Sequence, residues 1–223
     1  ACFKPQLPAF FIDRLTKPGD IVYDSFMGRG TTPVEAALHG RIPFGNDVNP
    51  LSRAFAEPRI NPPTMTEVES RLADIPWADF RQVTREDLLA FYHPQVLAKI
   101  EGLRRWFLER GDRLDQTDRF LRMVALNRLT GHSPGFLSVY TLPPNQAVSV
   151  ERQRQINERR GQVPPLREVP ALLLKKAGAL LADGPALARQ SLFLTGAAED
   201  TPAIADGSVA LTVTSPPFLD IVD

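Results

Sequence analysis

The sequence predicts an α/β fold built on an open sheet whose strands come from both ends of the chain. A strand, a glycine-containing loop, a helix and a second strand follow one another within residues 21–47, in the order of a βαβ unit. A β-branched apolar strand at 209–213 ends before two consecutive prolines, which cannot continue a sheet ladder. The segment between these strands is much longer than a simple crossover needs, so we expect a mainly helical insertion between the second and third strands.

The composition excludes several classes of protein. Of the 223 residues, 43% are hydrophobic and 23% are charged, which suffices for one core, or one core with an inserted subdomain. Basic and acidic residues balance at 26 each, so the total charge does not indicate a nucleic-acid partner. Cys2 is the single cysteine, which excludes disulfide frameworks and cysteine metal sites. Since no long apolar run or signal peptide is present, we expect a cytoplasmic protein with no membrane partner and no metal.

The N-terminal elements follow from apolar spacing and turn residues. Residues 9–15 have the spacing of a short amphipathic helix, and a Pro-Gly-Asp turn follows. Residues 21–23 form the body of a strand, and Asp24 is its polar end. The loop 25–32 then leads into a helix over 33–38. This arrangement predicts a ligand site at the carboxyl end of the first strand, where open α/β sheets place their ligands.

The loop has its own chemistry. Gly28 and Gly30 permit a tight turn and close approach of the backbone to a ligand, and the following helix start offers free amides. The dinucleotide fingerprint is excluded because Pro33 occupies its third glycine position, and no Gly-Lys-Ser or Gly-Lys-Thr of a P-loop is present. A second strand over 40–47 ends at Asp47, an acid placed to accept hydrogen bonds from ribose hydroxyls.

Four motifs together resemble the DNA methyltransferases that modify an exocyclic amino group, at cytosine N4 or adenine N6. The motifs are Lys4–Pro8, Asp24–Thr32, Gly45–Pro50 and Thr214–Phe218, and they cover about a third of the chain. The resemblance implies a Rossmann-like sheet that binds S-adenosylmethionine, whose methionine part lies on the loop and whose ribose is held by Asp47. The cofactor-binding residues that it implies are Pro5, Asp24, Phe26, Gly28, Gly30, Thr31, Thr32 and Asp47.

The intervening segment is predicted to be mainly helical. Residues 88–109 and 119–129 carry apolar side chains at helical spacing, and we interpret their aromatic rings as helix packing rather than base stacking. The stretch 131–146 is rich in turn formers and hydrogen-bonding side chains, so it is predicted to be a loop that could reach base edges or phosphates. A polar helix over 150–160 follows, and a further helix contains two consecutive lysines.

Positive charge is concentrated in this segment. Between Arg119 and Ala182 there are ten basic residues and three acidic ones. Such a run can simply be a solvated helix face, but neutralisation of phosphates is what drives affinity for DNA. In the family that the motifs resemble, some members carry their target-recognition region at this place, which implies double-stranded DNA as the partner. The candidate DNA contacts are His132, Asn145, Gln146, Arg152, Arg154, Arg159, Arg160, Lys175 and Lys176. His132 is equally well explained as a side chain that stabilises a local turn.

The chain is predicted to return to the sheet near residue 191. Residues 192–196 form the third strand, after which the family usually has an acid that contacts the adenine of the cofactor. Here either Glu199 or Asp200 takes that contact, or backbone and apolar groups hold the adenine. The predicted domain division is a first catalytic part at 1–58, a putative target-recognition insertion at 59–190 and a catalytic return at 191–223.

The strip Thr214–Phe218 suggests the chemistry. An exocyclic amino nitrogen is a poor nucleophile because its lone pair is delocalised into the ring. The resemblance implies that the Ser215 side chain and the Pro216 carbonyl accept hydrogen bonds from the amino group, while Pro217 stiffens the strip and Phe218 stacks on the base. A base inside a duplex cannot reach such a strip, so base flipping is implied.

Several alternatives stay open. C5-cytosine methylation is disfavoured because it needs a cysteine nucleophile. A serine at position 215, rather than Asp or Asn, resembles the cytosine-N4 branch more than the adenine-N6 branch, without excluding adenine. Because the chain has no initiator methionine and no later strand of the sheet, we also consider a catalytically incomplete specificity component. RNA methylation is less favoured, since no RNA-binding module is present. A restriction endonuclease partner and a homodimer remain open.

Overall fold

The computed structural model describes residues 3–142, 148–182 and 184–217. The chain divides into two compact units, Ala1–Pro62 with Gly184–Asp223, and Pro63–Asp183, called here the sheet unit and the helical unit. The strands are β1 (Ile21–Asp24), β2 (Ile42–Asp47), β3 (Leu192–Thr195) and β4 (Val209–Thr212). The helices are α1 (Gln6–Leu15), α2 (Thr31–Leu38), α3 (Pro50–Ala56), α4 (Met65–Asp74), α5 (Pro94–Arg110), α6 (Gln116–Leu126), α7 (Val150–Arg160) and α8 (Val169–Leu181).

The sheet is parallel throughout, with strand order β3-β2-β1-β4. β1 lies between β2 and β4, so the first strand of the chain pairs with the last one described. The α/β class predicted from the sequence is confirmed. Because parallel strands end at the same edge, the carboxyl ends of β1, β2 and β4 carry neighbouring side chains, which positions the candidate site.

Two small apolar clusters stabilise the sheet unit. One contains Ile12, Val22 and Ala36, which come from α1, β1 and α2. The other contains Met27 and Phe193, together with residues of α2 and α3. Their side chains are nearly removed from water, and burial of this kind is worth about 25 cal/mol per Å² of apolar surface. The clusters therefore hold the loop after β1 against the sheet.

Residues 60–61 and 186–188 lie side by side where the chain leaves the sheet unit and where it returns, and this pair of segments is called here the neck. Ile60 and Ala186 form an isolated parallel β-bridge. The backbone N–H of Asn61 donates to the Ala186 carbonyl at 2.8 Å. The Asn61 side-chain amide donates to the Ala188 carbonyl at 2.8 Å and accepts from the Ala188 N–H at 3.0 Å. The two segments are thus fixed side by side by sheet-unit residues alone.

The helical unit is built around α8, which packs on α4, α5 and α6. A buried carboxylate links its helices, because fully buried Asp118 is paired with Arg71 and Arg110. Within the described residues, every element between β2 and β3 is helical, from α3 to α8. No helix in the described part of the chain is long and apolar enough to cross a membrane.

The structure corrects one predicted helix and confirms another. The stretch 88–109 is not one helix: a short 3-10 turn covers Glu86–Ala90, and α5 begins only at Pro94. Proline is tolerated in the first turn of a helix and breaks its interior, and the His93 ring caps the new start by accepting from the Gln95 amide. The polar helix α7 has the predicted bounds, with Ser149 as its N-cap and left-handed Gly161 at its end.

Candidate active site

The site begins where β1 and β4 end side by side. Asp24 is the last residue of β1 and is only 2% exposed. The Thr214 hydroxyl, just beyond β4, donates to Asp24 Oδ1 at 2.6 Å. The Phe26 amide donates to the same oxygen at 3.1 Å. A single buried carboxylate therefore joins the glycine loop to the Ser-Pro-Pro strip, two motifs at opposite ends of the sequence.

A second set of hydrogen bonds fixes the strip before it leaves the sheet. The Val213 amide donates to the Tyr23 carbonyl at 3.0 Å, which extends the pairing of β1 and β4 by one step. The Thr32 hydroxyl, in the first turn of α2, donates to the Val213 carbonyl at 3.0 Å. Both polar groups of Val213 are thereby bonded, so the start of the strip is held by β1 on one side and by α2 on the other.

The glycine loop depends on backbone conformations that favour glycine. Gly30 has φ +78, and a Cβ there would lie 2.5 Å from the Ala56 Cβ. Gly28 has φ +50, and its amide donates to Asp47 Oδ2 at 2.8 Å. The loop thus approaches α3 closely at one glycine, while at the other its backbone is tied to the acid that ends β2.

The end of β2 is tied to the neighbouring strand as well. The buried Asn46 side chain donates to the Gly196 and Ala197 carbonyls at 3.0 and 3.1 Å, directly after β3. Asp47 is half-buried, and its Oδ1 accepts from the Asn49 amide at 2.9 Å. Both Asp47 oxygens therefore have a backbone donor, which orients the carboxylate at the edge of the sheet.

Burial raises the pKa of Asp24 above its ordinary value. Hydrogen bonds from Thr214 and the Phe26 amide lower it, and the nearby charge of Asp47 adds to the increase. The site thus contains a carboxylate whose ionisation is opposed by desolvation and supported by a few fixed donors. Loss of any one donor is expected to raise this pKa further.

A cavity of about 680 Å³ lies in the sheet unit beside β1. Tyr23 of β1 lines it, and so does most of the crossover from β3 to β4, including the exposed acids Glu199 and Asp200. The two acids expected as alternative adenine contacts therefore border one space. Their side chains make no hydrogen bond or ion pair with any other described residue.

The remaining predicted site residues of the sheet unit lie around this edge. Ser215 is half-buried, whereas Pro216 and Pro217 are exposed. Phe26 is exposed and Thr31 is half-buried at the first position of α2. Pro5 is exposed and precedes α1, where its carbonyl accepts from the Ala9 amide. Phe218 lies outside the described residues.

The helical unit contains the predicted DNA contacts that the structure describes. Four arginines of α7 are exposed, and so is His132. Lys175 is exposed and Lys176 half-buried on α8. Asn145 and Gln146 lie outside the described residues. The four α7 arginines are Arg152, Arg154, Arg159 and Arg160.

Sequence reasoning missed the residues that hold the site together. Thr214 was quoted only as part of a motif, yet its hydroxyl bonds the Asp24 carboxylate. Asn46 was also only part of a motif, and the available signal was an amide side chain at the end of an apolar strand. In the described residues, no group of three or more His, Cys, Asp or Glu side chains is placed to hold a metal ion.

Comparison with known proteins points to a class. Residues 1–52 match the N6_N4_Mtase family model, which is described as DNA methylase. A type II methyltransferase of Kocuria varians, M.MvaI, is 31% identical over 108 residues, which is 47% of this chain and 24% of that protein. The type II methyltransferase M.MjaII of Methanocaldococcus jannaschii is 34% identical over 73 residues, or 33% of this chain and 14% of that protein.

The chain thus spans a quarter or less of the length of each of these relatives. No solved structure matches it. The name of the family model includes both target atoms, N6 and N4, and both relatives are named as type II methyltransferases.

Proposed function

We propose that this chain contains the cofactor site and the base site of an S-adenosylmethionine-dependent DNA methyltransferase that modifies cytosine N4. The observation that carries the proposal is the hydrogen bond between Thr214 and Asp24. It joins the strip that would hold the base to the loop that would hold the cofactor. A methyl transfer needs both reactants at one place in a fixed orientation, and such positioning supplies much of the rate enhancement.

The donor set fits the cofactor. At Gly28 the loop backbone is open to close approach, since a Cβ there would meet no atom nearer than 4.0 Å, whereas Gly30 lets the loop pack against α3. Asp47 offers an oriented carboxylate for ribose hydroxyls. Glu199 or Asp200, which border the cavity beside Tyr23, or backbone and apolar groups would contact the adenine. When bound, S-adenosylmethionine supplies an activated methyl group on a sulfonium.

The base would bind along the strip. Ser215 and the Pro216 carbonyl accept hydrogen bonds from the exocyclic amino group, which localises the nitrogen lone pair on the side facing the methyl donor. Pro217 restricts the backbone so that these acceptors stay fixed, and Phe218 would stack on the ring. The base must leave the duplex to reach them, and its release costs a few kcal/mol, about the energy of unstacking and unpairing.

The test is methyl transfer itself. The protein is incubated with duplex DNA and methyl-labelled S-adenosylmethionine, and the nucleosides are analysed by mass spectrometry. We expect N4-methylcytosine, and loss of transfer in Ser215→Ala with cofactor binding retained. Ser191→Ala, an exposed serine before β3, is the matched control. N6-methyladenine without N4-methylcytosine would reject the choice of base and favour the adenine-N6 alternative.

A second candidate is a DNA-binding specificity component that keeps the cofactor fold without catalysing. Binding of DNA with no transfer under any condition would support it, and Asp24→Ala serves as the cofactor-site control. A restriction endonuclease partner and a homodimer are further expectations, which co-purification and light scattering would check.

A further inference from the structure

Arg160 is the last residue of α7, and it is stacked on an aromatic ring. Its guanidinium carbon lies 3.8 Å from the centroid of the Tyr140 ring, while the residue as a whole is exposed. Stacking of this kind fixes the plane of a guanidinium and leaves the N–H groups at its edge available. The side chain is therefore pre-oriented at the surface, with less rotamer freedom left to lose on binding a ligand.

The backbone of Tyr140 is itself fixed by a cluster of three amide side chains. The Tyr140 carbonyl accepts from Gln153 Nε2 at 2.9 Å and from Gln162 Nε2 at 3.1 Å. Both of these nitrogens also donate to Asn157 Oδ1 at 2.8 Å, and Asn157 Nδ2 donates to the Ala90 carbonyl at 2.7 Å. Gln153 is fully buried. The cluster attaches the loop that carries Tyr140 to the helix that carries the arginine.

Other stacked arginines of the helical unit use their donors within the protein. Arg128 lies over Phe136 but donates to the Asn127 carbonyl at 2.8 Å. Arg110 lies over a tryptophan, and its Nε donates to Asp118. Arg160 has no hydrogen-bond or ion-pair partner among the residues that the structure describes. Its rigid set of donors is therefore available to a ligand.

We propose that Arg160 recognises a guanine in the target sequence, by a bidentate pair of hydrogen bonds to guanine O6 and N7 in the major groove. This inference rests on the proposed function, in which the helical unit binds DNA. A planar fork that is held in one plane matches these two acceptors and carries sequence information. Contacts to phosphate do not require such orientation, and the exposed Arg154 and Arg159 on the same helix can supply them.

The experiment measures methylation of a panel of duplexes in which each base pair of the target sequence is replaced in turn. We expect Arg160→Lys, which keeps the charge and removes the fork, to reduce discrimination at one G·C pair by about 5- to 150-fold. Tyr140→Leu is expected to reduce the same discrimination, and Tyr140→Phe, which keeps the ring, to restore it. Arg159→Lys is the matched control and is expected to change all duplexes by one common factor.

The outcomes separate this inference from the proposed function. A wild-type protein that methylates one sequence, together with an Arg160→Lys variant that keeps every base preference, overturns the role of Arg160 alone. A uniform loss of Arg160→Lys activity on all duplexes makes the residue a phosphate contact and also overturns it. A wild-type protein that neither binds nor methylates DNA overturns both. Thermal melting of each variant verifies that a change of preference does not reflect unfolding.

Discussion

Replacement of Thr214 by valine removes one hydrogen bond and little volume, so it measures how much that bond contributes to the site. The bond is 2.6 Å long and ends on a carboxylate that is 2% exposed, so water cannot replace it easily. A hydrogen bond to a charged group contributes about 1.5–3 kcal/mol to the free energy of unfolding. With a urea dependence of about 2 kcal/mol/M, the unfolding midpoint is expected to fall by about 0.7–1.5 M.

The pH dependence of this loss has a defined sign. The folded-state pKa of Asp24 lies above its unfolded value, so ionisation of Asp24 costs stability as the pH rises through that interval. The Thr214 hydroxyl partly offsets this cost. The valine variant should therefore lose more stability at pH 8 than at a pH where Asp24 is protonated, because a neutral acid accepts a weaker hydrogen bond.

The assay is urea unfolding at both pH values, followed by titration with S-adenosylhomocysteine in a calorimeter. Thr214→Ser is the control: it keeps the hydroxyl and loses one methyl group, which is worth about 0.8 kcal/mol when buried. Equal destabilisation by valine and serine would show that packing, rather than the hydrogen bond to Asp24, accounts for the effect. An unchanged midpoint in the valine variant at pH 8 would refute the reasoning outright.

Three further predictions concern both units. Gly30→Ala should lower the free energy of unfolding, measured in urea, by at least about 2 kcal/mol, because φ +78 disfavours a side chain and the new Cβ meets Ala56. Gly28→Ala is the comparison: its Cβ would meet no atom closer than 4.0 Å, so the loss should be smaller. Asp118→Ala leaves two arginines without their buried partner and should cost about 3 kcal/mol; a loss below 1 kcal/mol would contradict this. The Arg71 hydrogen bond holds the pKa of Asp115 below its ordinary value, so this contribution to stability exists at neutral pH and disappears as the pH falls through the folded pKa. In Arg71→Gln the free energy of unfolding should therefore fall less steeply as the pH is lowered, and urea unfolding followed by circular dichroism at several acidic pH values measures this slope.

The local sequence pattern was sufficient to predict the strand and loop of the N-terminal part of the site. The strand over 21–24, its terminal acid and the glycine loop are adjacent in sequence, so residue type and spacing predicted them together. The hydrogen bond of Thr214 to Asp24 was not predictable in the same way. It depends on β4 pairing with β1 rather than with β3, and strand order is a property of the whole sheet that no local segment contains.

The same distinction applies to the helical unit. The bounds of α7 followed from its own residues, and its caps lie at the two ends of the predicted range. The separation of the 3-10 turn from α5 was missed although Pro94 was visible, because apolar spacing continued across it. The amide cluster under Tyr140 needed tertiary structure, since its members bond carbonyls up to 67 residues away.

The neck at Ile60 and Ala186 suggests how proteins of this design could diversify. Residues of the sheet unit itself join both segments, so the chain between them is a loop whose two ends are already held together. The entropy of closing such a loop grows only with the logarithm of its length, by about 0.6 kcal/mol per doubling. A segment of different size or sequence could thus be exchanged at Asn61 with little change to the strand ends.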